Sequence, residues 1–314
     1  MLVTQADFEG QVERARAEAV NPAHGLFGPG SMTWRVSRES IVFLGAGRAA
    51  LLQLAHPFVA HAIRDHSATR SDPVGRFNRT FQHVYGIIFG DLDHAIEAGR
   101  RVRKVHDHIH GAIDERVGVW SPGDRYRAHD AAALFWVHAT LLETSVMAYE
   151  IAVAKLTRAE KDQLCREMTR FAWLFGIPDE LLPADWAAFA AYCQRMFASP
   201  ELSVGRPARE IGDFLMNGAT GSARPAMRGY RAITAGLLPP RLREEFGIPF
   251  GRADALAFEA SVATLSRTWR RLPERLRVVP AFVEAKQRLA GKLGPDRFGR
   301  AIERSVLRWL EPTR

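Results

Sequence analysis

The chain has 314 residues, of which 47% are hydrophobic and 25% charged, and it carries a formal net charge of +8. This composition excludes a disordered or fibrous protein and is sufficient for a substantial core. Two cysteines exclude a disulfide framework. Residues 1–18 are acidic and lack the apolar stretch of a secretion signal, so we expect a cytoplasmic location.

The basic residues are almost all arginines, since only five of the 43 are lysines. They are dispersed along the chain. The helix that carries Arg100, Arg101, Arg103 and Lys104 also bears acidic residues and has no interleaved aromatic residues, so we predict no nucleic-acid binding. The one dense basic stretch is residues 267–308. Its arginines alternate with leucines, which suits a peripheral contact with an anionic membrane surface or a partner. Ordinary packing of an amphipathic helix is the alternative interpretation.

Helical periodicity dominates the chain, and the only β-like run is residues 41–44. Residues 131–154 are the most apolar stretch, but they contain three ionisable residues, which favours a buried core helix over a membrane span. Asp130 is a predicted N-cap of that helix, and Thr157 with Glu160 forms a capping-box signature for the next one. The other predicted helices are residues 7–19, 47–66, 74–89, 92–113, 183–199 and 207–217.

These elements predict an all-α protein with a single multi-helix domain. We expect an N-terminal helix and loop over residues 1–34 and a main domain over residues 35–230. Residues 231–314 are interrupted by prolines and are expected to form a helical C-terminal extension packed on the same domain.

A glycine pattern at residues 45–48 follows the β-like run and resembles half of a dinucleotide-binding fingerprint, with Asp65 near the position of the ribose-binding acid. The fingerprint needs a second strand, and none is predicted after Asp65. The pattern therefore favours a tight turn or close helix packing.

All eleven histidines lie between His24 and His138, so an imidazole-based site belongs to the first half of the chain. His106, His108 and His110 form the densest group, and His106 and His110 are expected on one helical face. Such a pair chelates a bare metal if a carboxylate completes the site, whereas one imidazole suffices for a haem. A solvated helix end is the third interpretation.

Two further features carry candidate site residues. Arg76 and Thr80 lie four residues apart on one helical face, where they form a clamp for a carboxylate or pair with nearby acids such as Asp72. His56 stands on an apolar helix before a proline. The favoured interpretation of His56 is a core histidine, and the alternative is a polar group in the pocket of a cofactor.

Taken in order, these segments resemble the MpaB-type oxygenase family, which includes the latex-clearing (rubber) oxygenases. The resemblance rests on residues 45–57 (GAGRAALLQLAHP), Arg76 with Thr80, residues 105–111 with His106, and residues 135–140 (FWVHAT), and it covers residues 35–216. It implies an all-helical fold that encloses a haem b, with His106 as the axial iron ligand.

The resemblance also implies that Arg76 and Thr80 lie near the haem edge and that the reaction is oxygenation of an isoprenoid-type carbon–carbon double bond. The distal lysine of the rubber-cleaving members has no counterpart, because Lys104 lies on the helix of the proposed ligand. Arg79 is assigned a related place, and His56 is the distal candidate.

The sequence thus predicts a haem b-dependent oxygenase that acts with O₂ on a small hydrophobic substrate, of which an isoprenoid is one candidate. A haem-binding protein without turnover remains an alternative. A non-haem metal protein that uses His106, His110 and a carboxylate is another.

Overall fold

A computed structural model describes residues 1–67, 73–217 and 224–310. Within these ranges the protein is all-α, as predicted. The helices are α1 (Gln5–Ala17), α2 (Met32–Ser37), α3 (Ala46–Leu54), α4 (Pro57–His66), α5 (Pro73–Phe89), α6 (Leu92–His106), α7 (Ala131–Ala152), α8 (Arg158–Trp173), α9 (Trp186–Ala198), α10 (Arg206–Asn217), α11 (Arg224–Leu237), α12 (Pro240–Glu245), α13 (Arg252–Thr268), α14 (Glu274–Arg277), α15 (Pro280–Leu289) and α16 (Arg297–Leu310).

The one small sheet among these ranges consists of β1 (His110–Ala112) and β2 (Arg125–Arg127), which pair antiparallel with Gly111 opposite Tyr126. Short 3₁₀ helices cover Pro22–His24, Ser40–Gly45, Asp179–Leu181 and Trp269–Arg271. The prediction of a β-like run at residues 41–44 is therefore wrong. No strand pairs with it, and its backbone forms a 3₁₀ turn that leads into α3.

The core is built around α7, which packs against α2, α3, α8, α9 and α13. Asp130 caps this helix by accepting a hydrogen bond from the Ala133 amide at 3.0 Å, as predicted. Ala131–Ala152 is long and apolar enough to cross a membrane, but 67% of its most apolar window is buried inside the protein. Such burial is typical of a core helix.

Residues 47–66, predicted as one helix, form two. The chain bends by 100° between Ser40–Leu54 and Pro57–His66. Pro57 occupies the first turn of α4, where its missing N–H costs no hydrogen bond, and His56 is the N-cap residue. The bend places His56 at a buried corner of the fold.

Helix α8 begins with the predicted capping box, in which Thr157 and Glu160 satisfy each other's backbone amides. Its Cys165 faces the interior, as does Cys193 of the neighbouring α9, and both thiols are free. Burial raises the pKa of Cys165 to about 11 and that of Cys193 to about 12. Neither cysteine forms a disulfide, as predicted.

Candidate functional site

The antiparallel hairpin of α5 and α6 positions most of the predicted site residues. A Cβ on Gly86 of α5 would lie 3.6 Å from the Ala98 Cβ of α6, which marks where the two helices touch. Further from the connecting turn, burial lowers the pKa of His83 of α5, and the positive charge of Arg101 of α6 lowers it further. This effect indicates that the two helices stay close there. At ~1.5 Å per residue, His106 lies roughly 12 Å beyond the contact along α6. Arg76, Arg79 and Thr80 lie roughly 9–15 Å beyond it along α5, at the same end of the hairpin.

A side-chain cap stands at the turn of the hairpin, where α6 begins. Asp91 Oδ1 accepts hydrogen bonds from the His94 amide at 2.9 Å and from His94 Nδ1 at 2.8 Å. Asp91 is thus the N-cap of α6, and this contact lowers its pKa against the opposing effect of burial. The carboxylate-x-x-histidine spacing of these two residues serves helix capping.

His106 is the last residue of α6 and is partly buried. Burial, followed by the nearby His129 and Arg103, lowers its pKa to about 4. The rings of His106 and His129 have centroids 6.0 Å apart, and the His106 ring has no hydrogen-bond partner in the described part of the chain. His106 is therefore a neutral imidazole at pH 7 with nitrogen lone-pair density available, which is the form that binds a metal.

Neighbouring contacts fix the end of α6. Arg103 is buried and donates from Nε to Gln5 Oε1 at 2.7 Å, which ties the helix to α1. Asp107, the C-cap residue, accepts a hydrogen bond from His129 Nε2 at 2.8 Å. These bonds restrain the residues on both sides of His106.

The prediction that His106 and His110 share one helical face is wrong. The helix ends at His106, and His110 belongs to strand β1, where it pairs with Arg127. A Cβ on Gly111 would lie 2.4 Å from Tyr126 Oη, so the strands approach this closely only with glycine at that position. The two imidazoles form no i,i+4 pair, and the predicted chelate loses its geometric basis.

A different histidine–carboxylate group is assembled instead. The potential ligand atoms of His61, Asp114 and Glu115 lie within 4.8 Å of one another. His61 Nε2 is 3.0 Å from Asp114 Oδ1, while Arg64 and Arg206 donate to Asp114 Oδ2 at 2.8 and 3.0 Å. Two guanidinium groups already compensate the carboxylate, so this group is an ion-pair network that fastens α4 to the segment after β1.

Arg76 is half-buried, and burial followed by the charge of Arg79 lowers its pKa. Within residues 1–67, 73–217 and 224–310, no carboxylate lies at ion-pair distance from its guanidinium. Thr80 is exposed, and its hydroxyl donates to the Arg76 carbonyl at 3.0 Å, one turn back along α5. The suggested partner Asp72 lies outside the described residues. The structure thus provides a cationic pair, Arg76 and Arg79, at the end of the hairpin that carries His106.

His56 lies in a separate aromatic cluster. Its ring centroid is 5.5 Å from that of Phe58 and 5.6 Å from that of Trp120. It is 4% exposed, its Nδ1 has no hydrogen-bond partner, and burial lowers its pKa to about 4. The ring contacts of His106 are with His129, so the two imidazoles belong to different clusters.

His138, which belongs to the motif at residues 135–140, is a further buried imidazole. It lies on α7 between Phe135 and Phe171, at centroid distances of 6.2 and 5.6 Å. Its Nδ1 has no hydrogen-bond partner among the described residues, and burial alone lowers the pKa of His138 to about 4. The signal that could have identified it is a lone histidine in the most apolar helix of the chain.

The glycine pattern at residues 45–48 serves close helix packing. A Cβ on Gly45 would lie 2.2 Å from Thr144 Cγ2, and one on Gly47 would lie 2.7 Å from Thr234 Oγ1. Arg48 then reaches into the same contact, where it pairs with Glu143 and donates to Thr144 Oγ1 at 2.8 Å. No second strand follows within the described ranges, so the dinucleotide alternative is excluded.

Two surface clefts of ≈ 450 Å³ and ≈ 420 Å³ lie elsewhere, on either side of Phe282 and Lys286. Phe282 packs on Phe89, at the opposite end of α5 from Arg76. These clefts are therefore remote from His106 along the hairpin.

Comparison with known proteins identifies the family. No curated protein and no solved structure matches the chain. Residues 34–268 match the family described as "ER-bound oxygenase mpaB/B'/Rubber oxygenase, catalytic domain". The match extends past residue 216, where the sequence motifs ended, and covers well over half of the protein. This chain therefore belongs to the mpaB/rubber oxygenase family and contains the catalytic domain of an oxygenase.

Proposed function

We propose that the protein is a haem b-dependent oxygenase in which His106 is the axial iron ligand. The observation that carries the proposal is that one end of the α5–α6 hairpin holds both a neutral imidazole and a half-buried arginine, and that neither has a hydrogen-bond or ion-pair partner among the residues that the structure describes. Haem presents the complementary groups, because its iron binds neutral imidazole and its propionates bind guanidinium.

The electrostatics of the arginines support this fit. Burial and the like charge of Arg79 both lower the pKa of Arg76, so its cation is held in an unfavourable environment. An anionic group at this position would relieve both effects. Arg76 and Arg79 are thus suited to hold the propionate edge, which only accepts hydrogen bonds. The Thr80 hydroxyl donates to its own helix and would have to turn away from the Arg76 carbonyl to donate to a propionate.

Bound haem would supply the activation of O₂, and the chain would orient the cofactor and exclude water. Leu51 and Leu52 of α3 are fully buried, and most residues of α7 are buried, so the interior next to these helices is largely apolar. An apolar interior favours a small hydrophobic substrate, and the rubber oxygenases named in the family description suggest the isoprenoid class. His56 is the proposed distal group, although its cluster is separate from that of His106.

An absorption spectrum of protein purified from haem-supplemented cells, with a pyridine haemochrome assay, tests the cofactor. We expect a Soret band at nearly one haem per chain. His106→Ala should lose the haem, whereas His110→Ala should retain it, because His110 lies in strand β1. Normal haem content in His106→Ala would overturn the assignment of the ligand.

Arg76→Ala should leave the fold intact and raise the haem dissociation rate about tenfold, the effect of losing one charge-assisted hydrogen bond. Arg116→Ala, at an exposed arginine, is the matched control. An unchanged dissociation rate in Arg76→Ala would argue against the propionate role. Substrate-dependent O₂ uptake with small isoprenoids then separates an oxygenase from a haem carrier without turnover.

A further inference from the structure

We infer that residues 267–308, which include most of α16, bind the surface of an anionic lipid membrane. These residues contain twelve Lys or Arg and four Asp or Glu, a net charge of +8. The whole chain also has a net charge of +8, so the remainder is electrically balanced. The positive charge of the protein is therefore concentrated in one segment. This inference does not depend on haem.

Helix α16 presents an apolar stripe to solvent. Phe298, Ile302 and Val306 recur every four residues on one face and are 41%, 41% and 49% exposed. A different residue anchors the helix to α15, because Arg300 pairs with Glu284 at 2.6 Å. The apolar stripe therefore remains substantially exposed to solvent, in the arrangement of a helix that lies in a membrane interface.

Cationic and apolar groups alternate at the start of this stripe. The Arg275 guanidinium lies 4.4 Å from the centroid of the Phe298 ring. Leu272 and Leu276, beside Arg275 in the chain, are 39% and 48% exposed. Arginine that covers an aromatic ring in this way can turn its charge toward lipid phosphates while the ring enters the apolar layer.

The combination of charge and exposed aliphatic side chains selects the partner. A second copy of this chain would bring two segments of net charge +8 together, which is repulsive. Nucleic acid would satisfy the charge but offers no place for Ile302 and Val306, since single strands are held through aromatic stacking. A bilayer that contains acidic lipids satisfies both features.

Co-sedimentation of the full chain with vesicles tests the inference. We expect binding to vesicles of phosphatidylcholine with about 30% phosphatidylserine, little binding to pure phosphatidylcholine, and release at high salt. The Lys292→Glu/Arg297→Glu variant should weaken binding roughly 20-fold or more, because each basic residue near such a surface contributes about a fivefold effect. Ile302→Asp/Val306→Asp should abolish it. Val20→Asp and Arg116→Glu, at exposed positions outside the segment, are the matched controls.

Circular dichroism of each variant checks that the fold is retained. Equal binding to both kinds of vesicle, or unchanged binding by the two folded double variants, would overturn the inference. A third result would also overturn it: the native protein is a dimer in light scattering, Ile302→Asp/Val306→Asp is a monomer, and neither binds vesicles. The stripe would then be a contact between copies of the chain. Binding to an oligonucleotide but not to acidic vesicles would equally overturn it.

Discussion

His138 should make the stability of the protein fall in acid, and replacing it should remove a defined part of that fall. Its pKa is about 4 in the folded protein because it is buried among Phe135 and Phe171 without a partner for Nδ1. In the unfolded chain the pKa is about 6.5. As the pH falls below about 6.5 the unfolded state binds more protons, so the stability present above that pH is progressively lost down to about pH 4.

The size of the effect follows from these two pKa values. Between about pH 7.5 and about pH 5, one such histidine lowers the free energy of unfolding by ~2 kcal/mol. His138→Leu preserves the side-chain volume and removes the titrating imidazole. Its free energy of unfolding should therefore fall by ~2 kcal/mol less than that of the native protein over this pH interval. Urea unfolding at both pH values measures the difference. The exposed His108 provides the control, and His108→Gln should behave like the native protein.

An equal loss of stability in His138→Leu and the native protein would refute this reasoning. It would mean that the His138 imidazole becomes protonated in the folded state, through an opening of α7 or entry of water. Hydrogen exchange of the α7 amides at the two pH values would detect such an opening.

Two further predictions concern the packing around α3. Gly45→Ala should lower the free energy of unfolding by about 1–3 kcal/mol, because the new Cβ would clash with Thr144 Cγ2. Gly10→Ala, at an exposed position of α1, should raise it slightly. Equal effects at the two glycines in thermal unfolding would contradict the packing argument. Arg48→Met should cost about 3–5 kcal/mol, because it leaves Glu143 without its buried partner, and the added change Glu143→Leu should restore part of the loss in a double-mutant cycle.

Much of the fold follows from local sequence signals. Asp130 and the Thr157–Glu160 pair define helix starts because their side chains bond to amides within the same turn. The end of α6 could not be predicted in this way, since no glycine or proline stands between His106 and His110. The helix ends there because residues 110–112 pair with residues 125–127, a contact that local periodicity does not contain.

The position of the candidate site along the chain also follows from local helix periodicity. The helix bounds place Arg76, Arg79 and Thr80 at the same end of the hairpin as His106. The partnerless state of His106 and His138 depends on tertiary burial, and no local pattern reports it. The roles of these residues toward haem remain predictions.

The two buried cysteines make the folded protein unreactive toward thiol reagents. Both thiols are protonated near neutral pH, because their pKa values are raised to about 11 and about 12, and both lie within the interior. Only thiolate reacts readily with maleimides or methanethiosulfonates. A cysteine introduced at Val306 on α16 would consequently be the one fast-reacting thiol in an otherwise native sequence. It would accept a spin label or fluorophore whose signal reports the depth of that position in a bilayer.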